Sequence, residues 1–196
     1  EIIMKPFSQA AENNKGPILD VLRDYLTADG NLLEIGAGTG QHAVWLAPRF
    51  PRVRWTPSEV PENLDGLSQW LASAPSDNLG DPLALDVEGD WPDQAYHYIF
   101  TANTFHIVSR PLVELCIRRV CERLLPDGRF LVYGPFNYQG TYTSDSNRQF
   151  DLSLKAHDIA MGIRDQEWVV QRFAEHGREL IGDHAMPANN RILVFG

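Results

Sequence analysis

Three glycines at alternate positions constrain this chain more than any other feature in it. The apolar run Leu32-Leu33-Glu34-Ile35 passes directly into Gly36-Ala37-Gly38-Thr39-Gly40, and a helix begins near Gln41. Glycine has no Cβ, so such a loop turns sharply and lets backbone N–H groups approach a ligand at the positive end of the following helix. Strand, loop and helix together read as a cradle for a nucleotide-type cofactor. The spacing is G-x-G-x-G. Gln41 stands where the dinucleotide fingerprint needs its third glycine, which weighs against NAD or FAD. Glu34, two positions before the first glycine, would end the strand with a carboxylate able to accept bonds from a cationic amine above the loop.

The rest of the chain supplies the sheet that such a loop requires. Residues 1–12 read as irregular, and Pro17 opens a helix to about residue 27 with Ile18, Leu19, Leu22 and Leu26 on one stripe. Strands follow at residues 32–35, 53–56, 82–85, 96–102 and 129–133. Helices alternate with them at 41–50 (stopped by Pro51), 61–72 and 110–125, the last capped by Ser109, and Pro126-Asp127-Gly128 is a turn. This rhythm argues for a parallel sheet with helices on both faces and ligands at the carboxyl ends of the strands. Residues 134–164 break the rhythm with a polar and aromatic excursion on the loop side of the sheet, where lids and binding elements are usually found. Ser144 or Ser146 caps a helix within it, running to about Ala160. Asp165 caps another, with Trp168, Val169, Phe173 and Ala174 inward, and Gly177 stops it. Residues 179–186 and 191–195 are joined by a connection too short for anything but an antiparallel hairpin.

Composition narrows the function classes. At 196 residues, 43% apolar and 22% charged, the chain is expected to form one globular domain. Within it, 1–30 form an N-terminal segment and helix and 134–164 a substrate-side insertion. A net charge of -9 repels phosphate backbones and argues against nucleic acid as partner. Arg118, Arg119 and Arg123 read as a solvated helix face. Cys116 and Cys121, five apart on one helix, suit reduced thiols rather than a disulfide framework or a metal site. With neither a signal-like leader nor a stretch long enough to span a bilayer, the expectation is a cytoplasmic protein without membrane partners.

The E-x-G-x-G-x-G pattern resembles the cofactor loop of class I S-adenosylmethionine-dependent methyltransferases. Seven strands ending in a hairpin match that architecture, Rossmann-like with a mostly parallel sheet. Further motifs resemble a small, mostly bacterial family of methyltransferase-like proteins of unknown function, related to the animal methyltransferase-like 26 proteins. They include Lys5-Pro6-Phe7-Ser8, the run Gly38-Thr39-Gly40-Gln41-His42-Ala43-Val44, Ala102-Asn103-Thr104, Tyr133-Gly134-Pro135-Phe136-Asn137-Tyr138, Gly162-Ile163-Arg164-Asp165 and Met186-Pro187-Ala188-Asn189-Asn190. The resemblance implies a domain that binds S-adenosylmethionine and leaves the acceptor unnamed. It also expects Asp at position 59, where this chain has Glu.

Division of labour follows from the residues. The cofactor is assigned to Glu34, Gly36, Ala37, Gly38, Gly40, Glu59, Asp86, Val87 and Asn103. Glu59 lies 19 residues after Gly40, about where a βαβ fold sets an acid on a ribose diol; a loop acid or N-cap is its other reading. Asp86 is set to bind the adenine amino group while Val87 offers backbone to the ring edge. The acceptor is assigned to Phe7, Asn14, Lys15, Tyr133, Phe136, Asn137, Asn147, Arg164 and Asn189, most of them polar or aromatic and clustered near turns. In-line methyl transfer needs alignment above all, with a base only when the acceptor holds a proton of high pKa. His106, just past the fourth strand, is the candidate base, and a structural histidine is the alternative reading. The expected activity is methyl transfer to a small molecule. A non-catalytic sensor or partner subunit that binds S-adenosylmethionine is the second hypothesis. A dinucleotide oxidoreductase is the third, opposed by Gln41 and the terminal hairpin.

Overall fold

The computed structural model describes residues 5–196. Helix α1 (Gln9–Tyr25) precedes β1 (Gly30–Ile35), and α2 (Gln41–Leu46) leads to β2 (Val53–Glu59). Then come α3 (Leu64–Ser73), the short β3 (Leu83–Ala84), β4 (Tyr96–Ala102), α4 (Arg110–Arg123) and β5 (Leu124–Gly134). Two-residue strands β6 (Phe136–Asn137) and β7 (Arg164–Asp165) bracket α5 (Asp145–His157). The chain closes with α6 (Gln166–Ala174), β8 (Leu180–Met186) and β9 (Asn190–Phe195).

Seven strands form one sheet in the order β3-β2-β1-β4-β5-β9-β8. The first five run parallel, whereas β9 pairs antiparallel with both β5 and β8. This is the Rossmann-like class I methyltransferase fold. Side-chain alternation along the strands separates two cores. Leu32, Tyr98, Phe100, Leu131 and Val194 face α1, α2 and α3. Leu33, Ile99, Phe130, Leu193 and Phe195 face α4 and α6. With both faces covered, polar ligands are left the carboxyl edge, where β1 and β4 end side by side and the order of strand addition reverses.

Several expectations are corrected. Helix α1 begins well before Pro17, which lies in its interior. Ser8 caps it, its Oγ accepting from Ala11 N at 3.2 Å, and Ala11, Asn14, Ile18, Leu19 and Leu22 form one buried face. Proline there removes only the hydrogen bond to the carbonyl of Asn13, an exposed residue, so tertiary burial overrides the local penalty. Helix α4 stops at Arg123, and the Pro126-Asp127-Gly128 turn is a bulge within β5, whose pairing jumps from Tyr96↔Leu124 to Tyr98↔Arg129. Ala174 is exposed rather than inward, and the side chain of Asp165 makes no capping bond. Ser144 is the cap of α5, accepting from Asn147 N at 3.0 Å. The parallel pairing of β6 with β7, which ties both ends of the excursion together, carried no sequence signal.

The face covered by α4 and α6 is held by an aromatic stack. Phe173 lies 3.9 Å from Phe195 and 5.3 Å from Phe130 between ring centroids, and all three are fully buried. Removing a packed phenyl ring leaves a cavity that neighbouring side chains only partly fill. Phe173→Ala should therefore destabilise the fold by about 3–5 kcal/mol, read as a lowered urea midpoint with an unchanged slope.

Candidate active site

A cavity of about 500 Å³ opens over the glycine loop. Of the residues assigned to a cofactor, Glu34, Gly36, Ala37, Gly38, Glu59, Val87 and Asn103 line it. Gly36, Gly38 and Gly40 all have positive φ, a conformation costly to any residue with a Cβ. Their surroundings differ. A Cβ at Gly38 would meet nothing within 4 Å and would project into open space, while one at Gly40 would strike Leu67 of α3 at 2.7 Å. Gly38 is thus the glycine that keeps ligand space clear. Gly40 allows α3 to pack against the loop and does not line the cavity, a correction to its assignment.

Two buried carboxylates face this cavity and differ in their supports. Glu59 Oε2 accepts from Gly38 N at 2.8 Å and Oε1 from Val60 N at 2.9 Å, so both oxygens are oriented by backbone. The extra methylene of Glu over Asp is what lets it reach across to the loop. Glu34, 1% exposed, accepts from Trp55 Nε1 at 2.9 Å through Oε1. Burial pushes its pKa up to about 7; the Trp55 bond opposes the shift and the neighbouring Glu59 charge adds to it. A buried carboxylate with one neutral donor favours the arrival of a cation. Asp86 is exposed, its Oδ1 held by Glu88 N at 3.0 Å, and its neighbours Leu85 and Val87 line the cavity in its place.

The N-terminal helix roofs the loop through Gln41 and Glu12, which sequence reasoning had not assigned, and through Asn14, which it had given to the acceptor. Gln41 Oε1 accepts from Ser8 N at 2.5 Å, and its Nε2 donates to Ser8 O at 3.0 Å and to Glu12 Oε1 at 2.9 Å. Next to it, His42 Nε2 lies 2.6 Å from Asn14 Oδ1. Burial lowers the His42 pKa to about 4 and keeps the ring neutral. Ser8, Ala11 and His42 consequently line the cavity. The available signal was Ser8 followed by Gln9-Ala10-Ala11-Glu12, a capping serine ahead of helix formers.

A second cavity of about 380 Å³ adjoins, and Asn103, in the left-handed region at φ 59°, lines both. Its walls come from α1 (Asn13, Asn14), the end of β5 (Tyr133, Pro135), α5 (Asn147, Phe150) and the β8–β9 connection (Ala188, Asn190). Of the residues assigned to an acceptor, Asn14, Tyr133 and Asn147 are among them. The others are elsewhere. Phe7 is 61% exposed, and Lys15 pairs with Glu12 at 2.6 Å. Phe136 is a core residue packed with the α4 and α6 face. Asn137 is buried with its Oδ1 unpartnered, outside both linings. Asn189 is exposed and gives its carbonyl to Asn147 Nδ2 at 3.2 Å. Arg164 directs its guanidinium to the carbonyls of Phe105, Val108 and Ala160 at 2.6–3.0 Å, pinning the loop around His106.

His106 lines neither cavity. Its ring meets the edge of Phe150 at 5.4 Å, its carbonyl accepts from Gly162 N at 3.0 Å, and burial with the Arg164 charge lowers its pKa to about 4. The hydrogen bond is made by the backbone of His106 and not by its ring, and Phe105 and Ile107 on either side reach the first cavity. Among the described residues no cluster of three or more His, Cys, Asp or Glu is arranged for a metal, and no helix is long and apolar enough to cross a membrane.

The family described as "Protein of unknown function (DUF938)" matches residues 5–196. The chain belongs to this family. Solved structures with the same fold include the mitomycin 7-O-methyltransferase MmcR, with a TM-score of 0.81 and 18% identity over 95% of this chain and 53% of that one. An O-methyltransferase family 2 protein from Planctomyces limnophilus, in complex with apigenin, gives 0.82 and 18% over 95% and 58%. CalO1, a methyltransferase of calicheamicin biosynthesis with S-adenosylhomocysteine bound, gives 0.72 and 14% over 92% and 53%. The DUF938 chain spans just over half the length of these proteins, and at such identities the likeness is one of fold.

The Glu34 pKa carries a stability consequence. Its folded value lies above the ordinary 4.5, so the folded state holds the proton more tightly, and this group's contribution to folding weakens as pH rises from 4.5 through about 7. Ionised and unliganded, it costs on the order of 3 kcal/mol. Glu34→Gln keeps an oxygen for Trp55 and removes the charge. It should stabilise the unliganded protein by about 1–3 kcal/mol at pH 8 and change it little at pH 5, measured by urea unfolding at both pH values.

Proposed function

We propose that this chain is an S-adenosylmethionine-dependent methyltransferase acting on a small-molecule acceptor, with the cofactor in the cavity over the glycine loop. One observation carries the reading: Glu34 and Glu59, both buried, flank the open space at Gly38. The neighbours' cofactor is consistent with this pattern, since MmcR and the apigenin complex are O-methyltransferases and CalO1 carries S-adenosylhomocysteine. When bound, S-adenosylmethionine supplies an electrophilic methyl: the acceptor's lone pair bonds to that carbon, the C–S pair stays on sulfur, and any acceptor proton leaves to solvent.

The residues divide the binding as follows. Glu34 holds the ammonium group, which draws its carboxyl into the ionised state. Glu59, fixed by two backbone N–H groups, keeps lone pairs for the ribose hydroxyls. Leu85 and Val87 receive the adenine ring on an apolar wall, without a side-chain contact from Asp86. Asn103 marks the border with the acceptor side. Alignment and exclusion of water by the α1 roof are the main catalytic contributions of the protein. His106 holds Phe150 and the loop in position and is no longer the preferred base.

The competing reading, a sensor that binds S-adenosylmethionine without turning it over, draws on the lack of a charged side chain in the second cavity. Release of S-adenosylhomocysteine in the presence of acceptors separates the two. For the cofactor site itself, Gly38→Ala should reduce S-adenosylmethionine affinity at least tenfold by calorimetric titration, since its Cβ enters ligand space. Unchanged affinity in the folded variant would put the cofactor elsewhere.

A further inference from the structure

The second cavity differs from the first in kind. Its polar lining consists of Asn13, Asn14, Asn103, Asn147 and Asn190 with the Tyr133 and Ser146 hydroxyls, and no formally charged side chain enters it. Charges adjoining these residues in sequence are neutralised in pairs outside the lining. Lys15 meets Glu12 at 2.6 Å, Arg148 meets Asp145 at 2.9 Å and Arg191 meets Asp183 at 2.7 Å. Pro135, Phe150 and Pro187 provide flat apolar surface between the amides.

We infer that this chamber is the acceptor site and that it takes an uncharged ring compound carrying both hydrogen-bond donors and acceptors, such as a phenol, lactam or neutral heteroaromatic. This rests on the methyltransferase reading of the first cavity. The argument is one of desolvation. A carboxylate or phosphate entering this half-open chamber would give up part of its water without meeting a cation, which disfavours it. A neutral ring loses little and gains amide partners, because each asparagine side chain offers both an N–H donor and a carbonyl acceptor. At about 380 Å³ the chamber lies near the lower end of small-molecule sites, which favours one or two rings over a polymer end. Asn103 joins the chambers, so an acceptor seated here borders the cofactor cavity directly.

Tyr133 is the specificity-determining residue of this site. It is 3% exposed and lines the chamber together with Asn14 from α1 and Asn190 from the hairpin. Asn14 in turn bonds His42, in the wall of the first cavity. The backbone carbonyl of Tyr133 also accepts from Asn103 N at 2.9 Å.

The test begins with calorimetric titration of S-adenosylmethionine into the full chain, followed by S-adenosylhomocysteine release with matched ring pairs such as catechol and 3,4-dihydroxybenzoate, or 4-hydroxyquinoline and its 2-carboxylate. Turnover, or a thermal shift in the presence of S-adenosylhomocysteine, should appear for neutral members and fall at least tenfold for their ionised partners. Ala10→Trp, on the exposed face of α1 at the chamber rim, should abolish the response while cofactor affinity stays within twofold. Tyr133→Phe should lower turnover fivefold or more on the same terms. Failure of the wild type to bind S-adenosylmethionine would overturn the functional reading and this inference with it. Cofactor binding with equal use of ionised rings, with no neutral ring bound or turned over, or with an Ala10→Trp variant that behaves as wild type, would overturn this inference alone.

Discussion

The attachment of α1 to the glycine loop is the interaction on which both chambers depend. Gln41 makes three hydrogen bonds to Ser8 and Glu12, and His42 makes one to Asn14, so two consecutive residues at the start of α2 fasten a helix that adds no strand to the sheet. Without that helix the first cavity would lose Ser8 and Ala11, and the second would lose Ala10, Asn13 and Asn14. Gln41 is buried and its amide is satisfied at both ends, which makes the contact strongly directional. The residue that takes the place of a third glycine is therefore a structural part of the enclosure.

Electrostatics separates what the two chambers accept. The first sets two carboxylates where burial makes charge expensive, and burial pushes the Glu34 pKa up to about 7. The second holds amides and a phenol. The two cavities meet at Asn103. Only a residue tolerant of positive φ fits at that border, and asparagine meets the requirement while keeping a polar side chain.

Much of this was legible in the chain. The glycine spacing located the loop beneath the first cavity, strand–helix alternation located the parallel sheet, and the short connection near Asn189 required the hairpin that β8 and β9 form. These features are encoded locally, by glycine conformations, hydrophobic period and loop length. The errors arose where burial overrides local preference. Pro17 is a good helix opener by itself, yet a sufficient apolar face carried α1 past it. Phe136 lies among polar turn residues, yet the pairing of β6 with β7 delivers its ring to the core. Gly40 and Gly38 look alike in sequence and differ in what stands beside them, since Leu67 of α3 presses on one and open space faces the other.

The second cavity was least legible because no single motif supplies its lining residues. Asparagine in a turn is ordinarily explained by the turn itself, so Asn103, Asn147 and Asn190 carry no distinctive signal one at a time. Meaning comes from convergence, which depends on four separate packings: α1 on the loop, α5 across the excursion, β5 against β9, and the hairpin beyond it. A cation or anion site announces itself by charges that have no structural reason to cluster. A neutral site has no such marker, since amides and apolar side chains abound on every surface, and its chemistry becomes visible only when the walls are assembled and the neighbouring charges are found already paired.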